Sequence, residues 1–395
     1  GVVAAMTIPT LMSNTNKPLA TFQRLKAYIR KTLFYRLIFH PIYSLKRLTE
    51  YIETKDMNED ERYFYLRNKA IFGYKPDFKS PKTFNEKLIY RTLYDRKPIY
   101  SILSDKLKMR IYVAHKLQGF TQNKVKTINT KLNSVKVLDS AQILPDAILA
   151  PNSPLFTPID MLNDTLFATN SCEFLPKLYG IWKSVDKIDF DKLPNAFVLK
   201  VNHLGSGNGI ILVPNKKAFL MNEQVYNESM RTLKKCLKVN AYYGCREWHY
   251  KDIEPRVFAE EFLTQDGANP TTYKFHIFGK DDAHNFIQVT TERFGKNYQR
   301  VIMDYEWQLA PFGILYDNTK LKRGIPHRPS TLKSMKNISH ILAEPFAYVR
   351  VDLYNIDSTQ NYRVVVGELT WCHGGAKERF VPNEYDEKIG NLWRI

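Results

Sequence analysis

The sequence reads as an α+β protein: a helical N-terminal part, then mainly antiparallel sheets with helices interspersed. Three observations point there. Residues 50–118 read as helical, with polar breaks at Asp56–Asn58 and Lys75–Pro81. After Leu175 the pattern changes to short runs rich in Val, Ile and Phe. Most of these runs are joined by hairpin-length turns, which argues against a doubly wound parallel sheet. The 395 residues allow two or three domains, and 44% apolar with 13% aromatic residues excludes wholesale disorder.

Taken in order, residues 1–18 begin GVVAAMTIPTLMSNTNK, which resembles the second half of the hydrophobic leader helix of type IV pilin-like proteins. They are set aside from the fold as a leader-like remnant; completed upstream, they would form an anchor. Residues 19–49 continue a stretch, Lys17 to Thr49, with eight Lys or Arg and no acid, interleaved with Phe, Tyr, Leu and Ile. That composition suits a helix lying in a membrane interface, or equally one packed on the protein's own core. Pro41 is expected to divide it into two helices. Residues 50–119 are helical. Within them, Ser80 to Leu88 looks like a capped helix start followed by an apolar stripe through Leu88, Leu93 and Tyr94. Ser104 or Asp105 is placed to cap a helix carrying Lys106 and Arg110. Residues 120–172, rich in Asn, Thr, Ser and Pro, read as an insertion.

Strands are expected at Ala196–Asn202, Gly209–Val213, Arg256–Leu263, Thr272–Phe278, Asn285–Thr291, Tyr348–Tyr354 and Arg363–Leu369. Helices are expected over 222–240 and Thr331–Leu342. The organisation divides at 173–263 and 264–395.

The net charge of +18 implies an anionic partner. Four cysteines without a CxxC suggest neither a zinc cage nor a disulfide framework, and fit a reducing cytoplasm. No run of about 18 apolar residues offers an ordinary membrane span.

Chemistry concentrates in two places. Lys200 interrupts an apolar strand, where a cation is costly unless it meets an anion. Gly205-Ser206-Gly207-Asn208-Gly209 follows, a turn whose backbone N–H groups can approach phosphate oxygens; alone it is an ordinary surface hairpin turn. Near the C-terminus, Arg350 and Asp352 share one strand face, as do Glu368 and Thr370. Two acids at apolar strand centres suit Mg²⁺ carried on nucleotide phosphates, or buried salt bridges with Arg350. There is no Walker A pattern, and the lysine precedes the glycine loop, the reverse of protein kinases.

Lysine strand, glycine loop, acidic strand and two late acids is the order of ATP-grasp enzymes. SPKTFNEKLIYRTLYDRKPIYSILSDKLKMRIYV, FVLKVNHLGSGNGIILV, YYGCREWHYKDIEPRVFAEEFL, YKFHIFGK and YVRVDLYN resemble the TupA-like branch of ATP-grasp amide ligases, over about residues 60–118 and 173–395. The resemblance implies two α+β subdomains clamping ATP, and a role in capsular and cell-envelope polysaccharide or teichuronopeptide synthesis. It implies Lys106 and Lys200 on the nucleotide, Gly205 to Gly209 as the phosphate lid, and Glu260, Glu261, Phe262 and Leu263 as the adenine hinge. Asp266 is a ribose contact and Lys274 joins the nucleotide-binding set. Asp352, Glu368 and Thr370 hold Mg²⁺, and Arg350 acts with Lys200 on the transferring phosphoryl group. Thr370 stands where many relatives have Asn, and Trp371-Cys-His-Gly-Gly375 departs from the usual pattern.

The expected activity is an ATP-dependent carboxylate–amine ligase working through an acyl phosphate. Its partners would be a carboxylate-bearing sugar or amino acid, an amine acceptor, a lipid-linked glycan and the anionic cytoplasmic membrane face. The alternative is a glycosyltransferase built on Asp189-Phe190-Asp191, a DxD that reads here as a solvated turn. Nucleic-acid binding has only the charge behind it and is not expected. His249, His276 and His284 read as core or surface histidines. Trp248, Tyr242 and Tyr243 read as core, and Arg246-Glu247 as a lesser substrate candidate.

Overall fold

The computed structural model describes residues 40–128, 147–279, 281–291, 298–358 and 361–395. The leader-like residues and most of the basic segment therefore lie outside the described residues, as do 129–146 of the insertion. The basic segment enters the description as helix α1 (His40–Thr54), with Pro41 as its second residue. Helix α2 (Glu59–Phe72) starts at a capping box between Asn58 and Glu61 and ends on Gly73 in the left-handed region. Helix α3 (Phe84–Leu93) carries a second capping box, Thr83 with Glu86. Tyr94 leaves the stripe expected of it: it closes α3, is 39% exposed and donates to Glu61 Oε1 at 2.7 Å.

Helices α4 (Pro98–Ser104) and α5 (Lys108–Lys116) bracket a short linker. Asp105 accepts from the Leu107 N–H at 2.9 Å, so Lys106 precedes α5 instead of riding on it. In the described part of the insertion, Leu155, Ile159, Leu162 and Leu166 are buried in the main core.

Two antiparallel sheets follow. The first comprises β1 (Leu178–Trp182), β2 (Phe197–Val201), β3 (Ile210–Val213) and β4 (Val257–Glu261) in the order β1-β4-β2-β3. Helix α6 (Glu223–Leu237) packs on it through Met230 and Leu233. The second contains β5 (Thr272–Ile277), β6 (Phe286–Thr291), β7 (Gln299–Asp304), β9 (Val349–Ser358) and β10 (Asn361–Thr370), ordered β10-β9-β5-β6-β7. A small pair, β8 (Gly313–Ile314) with β11 (Phe380–Val381), sits beside β7. Strands β1 and β7 escaped the reading of the sequence: β1 contains Gly180, and β7 opens with Gln299 and Arg300 before its apolar run.

The five-stranded sheet has two unlike faces, set by the period of two along a strand. Tyr273, Phe275, Ile287, Val289, Val301, Met303, Val351 and Leu353 are buried in one core with Leu332, Met335, Ile338 and Leu342. The last four lie on helix α7 (Leu332–Ala343). Lys274, His276, Gln288, Arg350, Asp352, Glu368 and Thr370 occupy the alternate positions, brought level by the strand register.

The N-terminal signature serves as a clamp. Lys87 Nζ donates to the Gly390 and Trp393 carbonyls at 2.8 and 2.6 Å. Arg91 donates to the Trp371 and Tyr348 carbonyls, with its guanidinium 4.3 Å from the Trp393 ring centroid. Helix α3 thereby fixes the segment just past Glu368.

Candidate active site

Register brings the five-stranded sheet's charges together. Lys274 pairs with Asp352 across β5 and β9, Glu368 with Asp352 and Thr370 with Arg350 across β10 and β9. A bulge at Gly367 shifts β10 so that Glu368 comes level with Asp352. A Cβ at Gly367 would stand 2.6 Å from the Tyr354 ring, so a larger residue there would displace that ring.

Arg350 grips both acids. Its Nε and Nη2 donate to Asp352 at 2.6 and 2.8 Å, and Nη2 also donates to Glu368 Oε1 at 2.8 Å. The Thr370 hydroxyl donates to the same Glu368 oxygen at 3.0 Å, and Lys274 Nζ lies 3.8 Å from Asp352. Asp352 is buried while the Glu368 side chain is 37% exposed, so the group has a dry end and an open end. Burial pushes the Asp352 carboxyl up, against the pull of Arg350 and Lys274.

The four-stranded sheet supplies the cations. Lys200 forms an ion pair with Glu260, which also lies 3.8 Å from Arg110. Burial opposes the Lys200 charge, but Glu260, Tyr354 and Glu368 together hold the ammonium pKa above its ordinary value. Lys106 is brought alongside by a lock at the end of β2. Asn202 donates to Asp105 at 3.0 Å, the Lys106 N–H donates to the Asn202 carbonyl at 3.1 Å, and Lys106 Nζ donates to the Leu204 carbonyl. Burial pulls the Lys106 pKa down, while Glu368 pushes it up. Ser104, Lys106, Tyr250, Glu368 and Thr370 line one small cavity, so Lys106 of the α4–α5 linker meets Glu368 and Thr370 of the second sheet.

The glycine loop spans β2 and β3. Ser206, Gly207 and Gly209 all have positive φ (57°, 80° and 69°), and a Cβ on Gly209 would sit 2.5 Å from Val201. The loop is closed by Asn208, whose backbone N–H and side-chain amide both donate to the Gly205 carbonyl at 3.1 Å. Past the last ladder pair, Phe197 with Glu261, the backbone of Phe262 and Leu263 runs on as the link between the sheets. Glu261 pairs with Arg363 at 2.6 Å. Asp266 keeps other company: it accepts from Tyr362 at 2.6 Å at an exposed turn tied to Asp357.

Several residues fall elsewhere. Tyr243 is 67% exposed instead of packing the core, whereas Tyr242 is buried with its hydroxyl on Asp60. Arg246 pairs with Glu59 and Asp60. His249 and His276 are buried and His284 is exposed. Asp189 pairs with Lys192 at 3.0 Å in an exposed turn. A chain of polar groups behind Arg350 had no signal in the sequence. Arg350 Nη1 lies 3.0 Å from His373 Nδ1, His373 Nε2 lies 2.9 Å from Glu378, and Glu378 pairs with Arg300 at 2.8 Å.

Two carboxylates and a hydroxyl, faced by lysines and a glycine loop, suit a divalent cation that arrives with phosphate oxygens of its own. Gln288 Oε1, buried on the same face, has no hydrogen-bond partner. The two sheets bring these charged faces together between antiparallel layers. A family model described as TupA-like ATPgrasp matches residues 172–394, more than half of the chain, and the chain belongs to that family. Its fold is therefore ATP-grasp. No curated protein matches the chain.

Among solved structures, it is similar to a RimK domain ATP-grasp protein from Sphaerobacter thermophilus. Identity is 11%, with 59% of this chain and 64% of that one covered and a TM-score of 0.28. D-alanine–D-alanine ligase from Helicobacter pylori gives 15% identity, 58% of each chain and a TM-score of 0.30. The macrocyclase MdnC from Microcystis aeruginosa, bound with precursor peptide MdnA, gives 10%, 56% and 55%, and 0.26. The chain spans less than two thirds of the length of each of these structures.

Proposed function

We propose that this protein is an ATP-dependent carboxylate–amine ligase with its nucleotide held between the two sheets. The observation that carries the reading is the convergence of Lys106 with Glu368 and Thr370 around one cavity, with Lys200 and the glycine loop adjoining. A carboxylate oxygen of the substrate attacks the γ-phosphorus and ADP leaves. An amine then attacks the acyl phosphate, the C–N bond forms, and phosphate departs as the amine loses its proton. No protein nucleophile is needed; positioning and positive charge suffice. Lys106 and Lys200 bind and orient the phosphates, and the N–H groups of Gly205 to Gly209 close over them. Phe262 and Leu263 present backbone to adenine, and Asp266 is the ribose contact. Asp352, Glu368 and Thr370 would hold Mg²⁺, which when bound offsets phosphate charge. Arg350, which balances both acids here, is placed to turn toward the transferring group. The boundary between the two halves of the clamp falls at residues 263–264.

The wider role we assign is capsular or cell-envelope polysaccharide synthesis at the inner membrane face, on a lipid-linked acceptor. Support comes from the family and from α1, where Ile42, Leu45, Leu48, Tyr51 and Ile52 are all more than half exposed beside Lys46 and Arg47. A cation near an anionic leaflet contributes roughly 1 kcal/mol before screening. A chain beginning after Thr49 should stop sedimenting with anionic liposomes while still hydrolysing ATP, and salt should release the full chain. Equal sedimentation of both chains would end the surface reading. The ligase itself is tested by ATP turnover across amino acids and uronic-acid glycans, with mass spectrometry of products. Amide with ADP and phosphate is expected, and sugar transfer from a nucleotide donor would overturn it.

A further inference from the structure

Tyr250 lines the central cavity with Lys106, Glu368 and Thr370, yet the ligase chemistry leaves it without a role. It ends a short turn, Trp248–Tyr250, on the link from α6 to β4. The turn is pinned on several sides. The Ser101 hydroxyl on α4 donates to the His249 carbonyl at 2.9 Å, and the Lys251 N–H donates to the Trp248 carbonyl at 2.9 Å. Asn240 donates to the Lys251 carbonyl at 2.8 Å, and the Tyr250 N–H to the Glu247 carbonyl at 3.1 Å. The Tyr250 ring lies 4.5 Å from the ring of buried His249. The turn, and not a partner of the hydroxyl, therefore sets where Tyr250 points.

That hydroxyl stands against the start of the glycine loop: a Cβ on Gly205 would lie 3.3 Å from Tyr250 Oη. From the other side, Glu368 and Thr370 share the cavity wall with it. The hydroxyl makes no hydrogen bond among the described residues. Burial, with the Glu247 and Glu368 carboxylates nearby, pushes the phenol well above its ordinary range, so it keeps its proton and serves as a donor. Tyrosine hydroxyls in such places ordinarily find a partner. Here the place for one lies between the loop and Glu368.

We propose that the Tyr250 hydroxyl donates a hydrogen bond to an oxygen of the transferring γ-phosphoryl group. This rests on the nucleotide lying between the two sheets. The glycine loop is assigned to cover the phosphates, and Glu368 with Thr370 to hold Mg²⁺. The terminal phosphate is the group that meets both, and Tyr250 is flanked by both. In the transfer, the bond from the carboxylate oxygen to phosphorus forms and the bond from phosphorus to the β-phosphate oxygen breaks. Tyr250 keeps its proton throughout. Charged acceptors strengthen such a bond, so losing the hydroxyl should be felt at the γ-phosphate and not at the base or the β-phosphate.

Calorimetry of the full chain in Mg²⁺ tests this with two nucleotides: ADP, and the β,γ-imido analogue of ATP, which carries a terminal phosphate and resists its transfer. Tyr250→Phe removes one oxygen and leaves the ring on His249. It should weaken the analogue about tenfold and leave ADP within about twofold of wild type. Gly205→Ala is the second variant, because its methyl would crowd the hydroxyl. It should weaken the analogue more than ADP, and by a smaller factor when residue 250 is already Phe. Should Tyr250→Phe fail to fold, the discrimination shown by Gly205→Ala alone decides. Equal weakening of both nucleotides in Tyr250→Phe, or none, would overturn the proposal. Lys200→Ala on the same two nucleotides separates this from the placement of the nucleotide. Loss of both there, beside an unchanged analogue-to-ADP ratio in Tyr250→Phe, sinks the role of Tyr250 and keeps the placement. A selective loss in Tyr250→Phe with Lys200→Ala unaffected keeps Tyr250 on the γ-phosphate and removes Lys200 from the phosphates.

Discussion

The two faces of the five-stranded sheet come from the same residues in alternation, yet they obey opposite rules. On one, Phe275, Val351 and Leu353 are fully buried against α7 and need nothing but shape. On the other, Lys274, Arg350 and Asp352 are nearly as buried, and each charge survives only because its neighbour opposes it. One face holds the sheet in place; the second uses that rigidity to keep costly charges together. Changes to each should separate cleanly in what they damage.

The largest effect is expected on the dry face. Phe275→Ala removes a fully buried ring and should cost roughly 3–5 kcal/mol of stability in denaturant unfolding. Any turnover that remains should keep its metal dependence. Stability within experimental error of wild type would deny the sheet its supporting role.

On the charged face the damage should fall on chemistry. Asp352→Asn keeps an acceptor oxygen for Arg350, and Glu368 still balances its charge, so the stability loss should be smaller than for Phe275→Ala. Glu368→Gln, at the open end, should cost less still. Either change should lower Mg²⁺-dependent ATP turnover by a factor on the order of 10² or more. Undiminished turnover in both variants would remove these acids from the site.

A further effect is one of pH. Burial holds the His373 imidazole down to about 4. An unfolded histidine titrates near 6.5, so between these values the unfolded chain takes up a proton that the native one refuses. Stability should therefore fall as pH drops from about 6.5 toward 4, by up to about 3 kcal/mol from this residue. His249, held down to about 3 by burial, adds the same sign. Unfolding curves across that range should show a shallower slope for His373→Asn and an unchanged slope for Phe275→Ala. Identical slopes in His373→Asn and wild type would exclude this titration.

The dry face was legible in the sequence because alternation of Val, Ile and Phe reports burial directly. β7 was not, since Gln299 and Arg300 hide its apolar run, and nothing in either residue reports that Arg300 meets Glu378 across 78 positions. Lys200, Arg350, Asp352 and Glu368 could be singled out because a charge inside an apolar strand is conspicuous. Their partners were less visible: Glu260 was read as part of a hinge, and the structure pairs it with Lys200. The lock of Asp105 on Asn202 was also beyond a sequence reading, because it depends on how a helix linker docks against a strand end. The N-terminal signature was recognisable as a pattern, but its clamp on the C-terminal segment appeared only with the fold.

The ligase reading requires the two sheets to face one another across nucleotide phosphates. Calorimetry of Lys200→Ala with ATP and with adenosine tests it most directly. ATP affinity should fall by an order of magnitude or more while adenosine affinity holds, because Lys200 is assigned to phosphate and not to base. Equal loss for both ligands would mean a damaged fold, and retention of both would place the phosphates elsewhere.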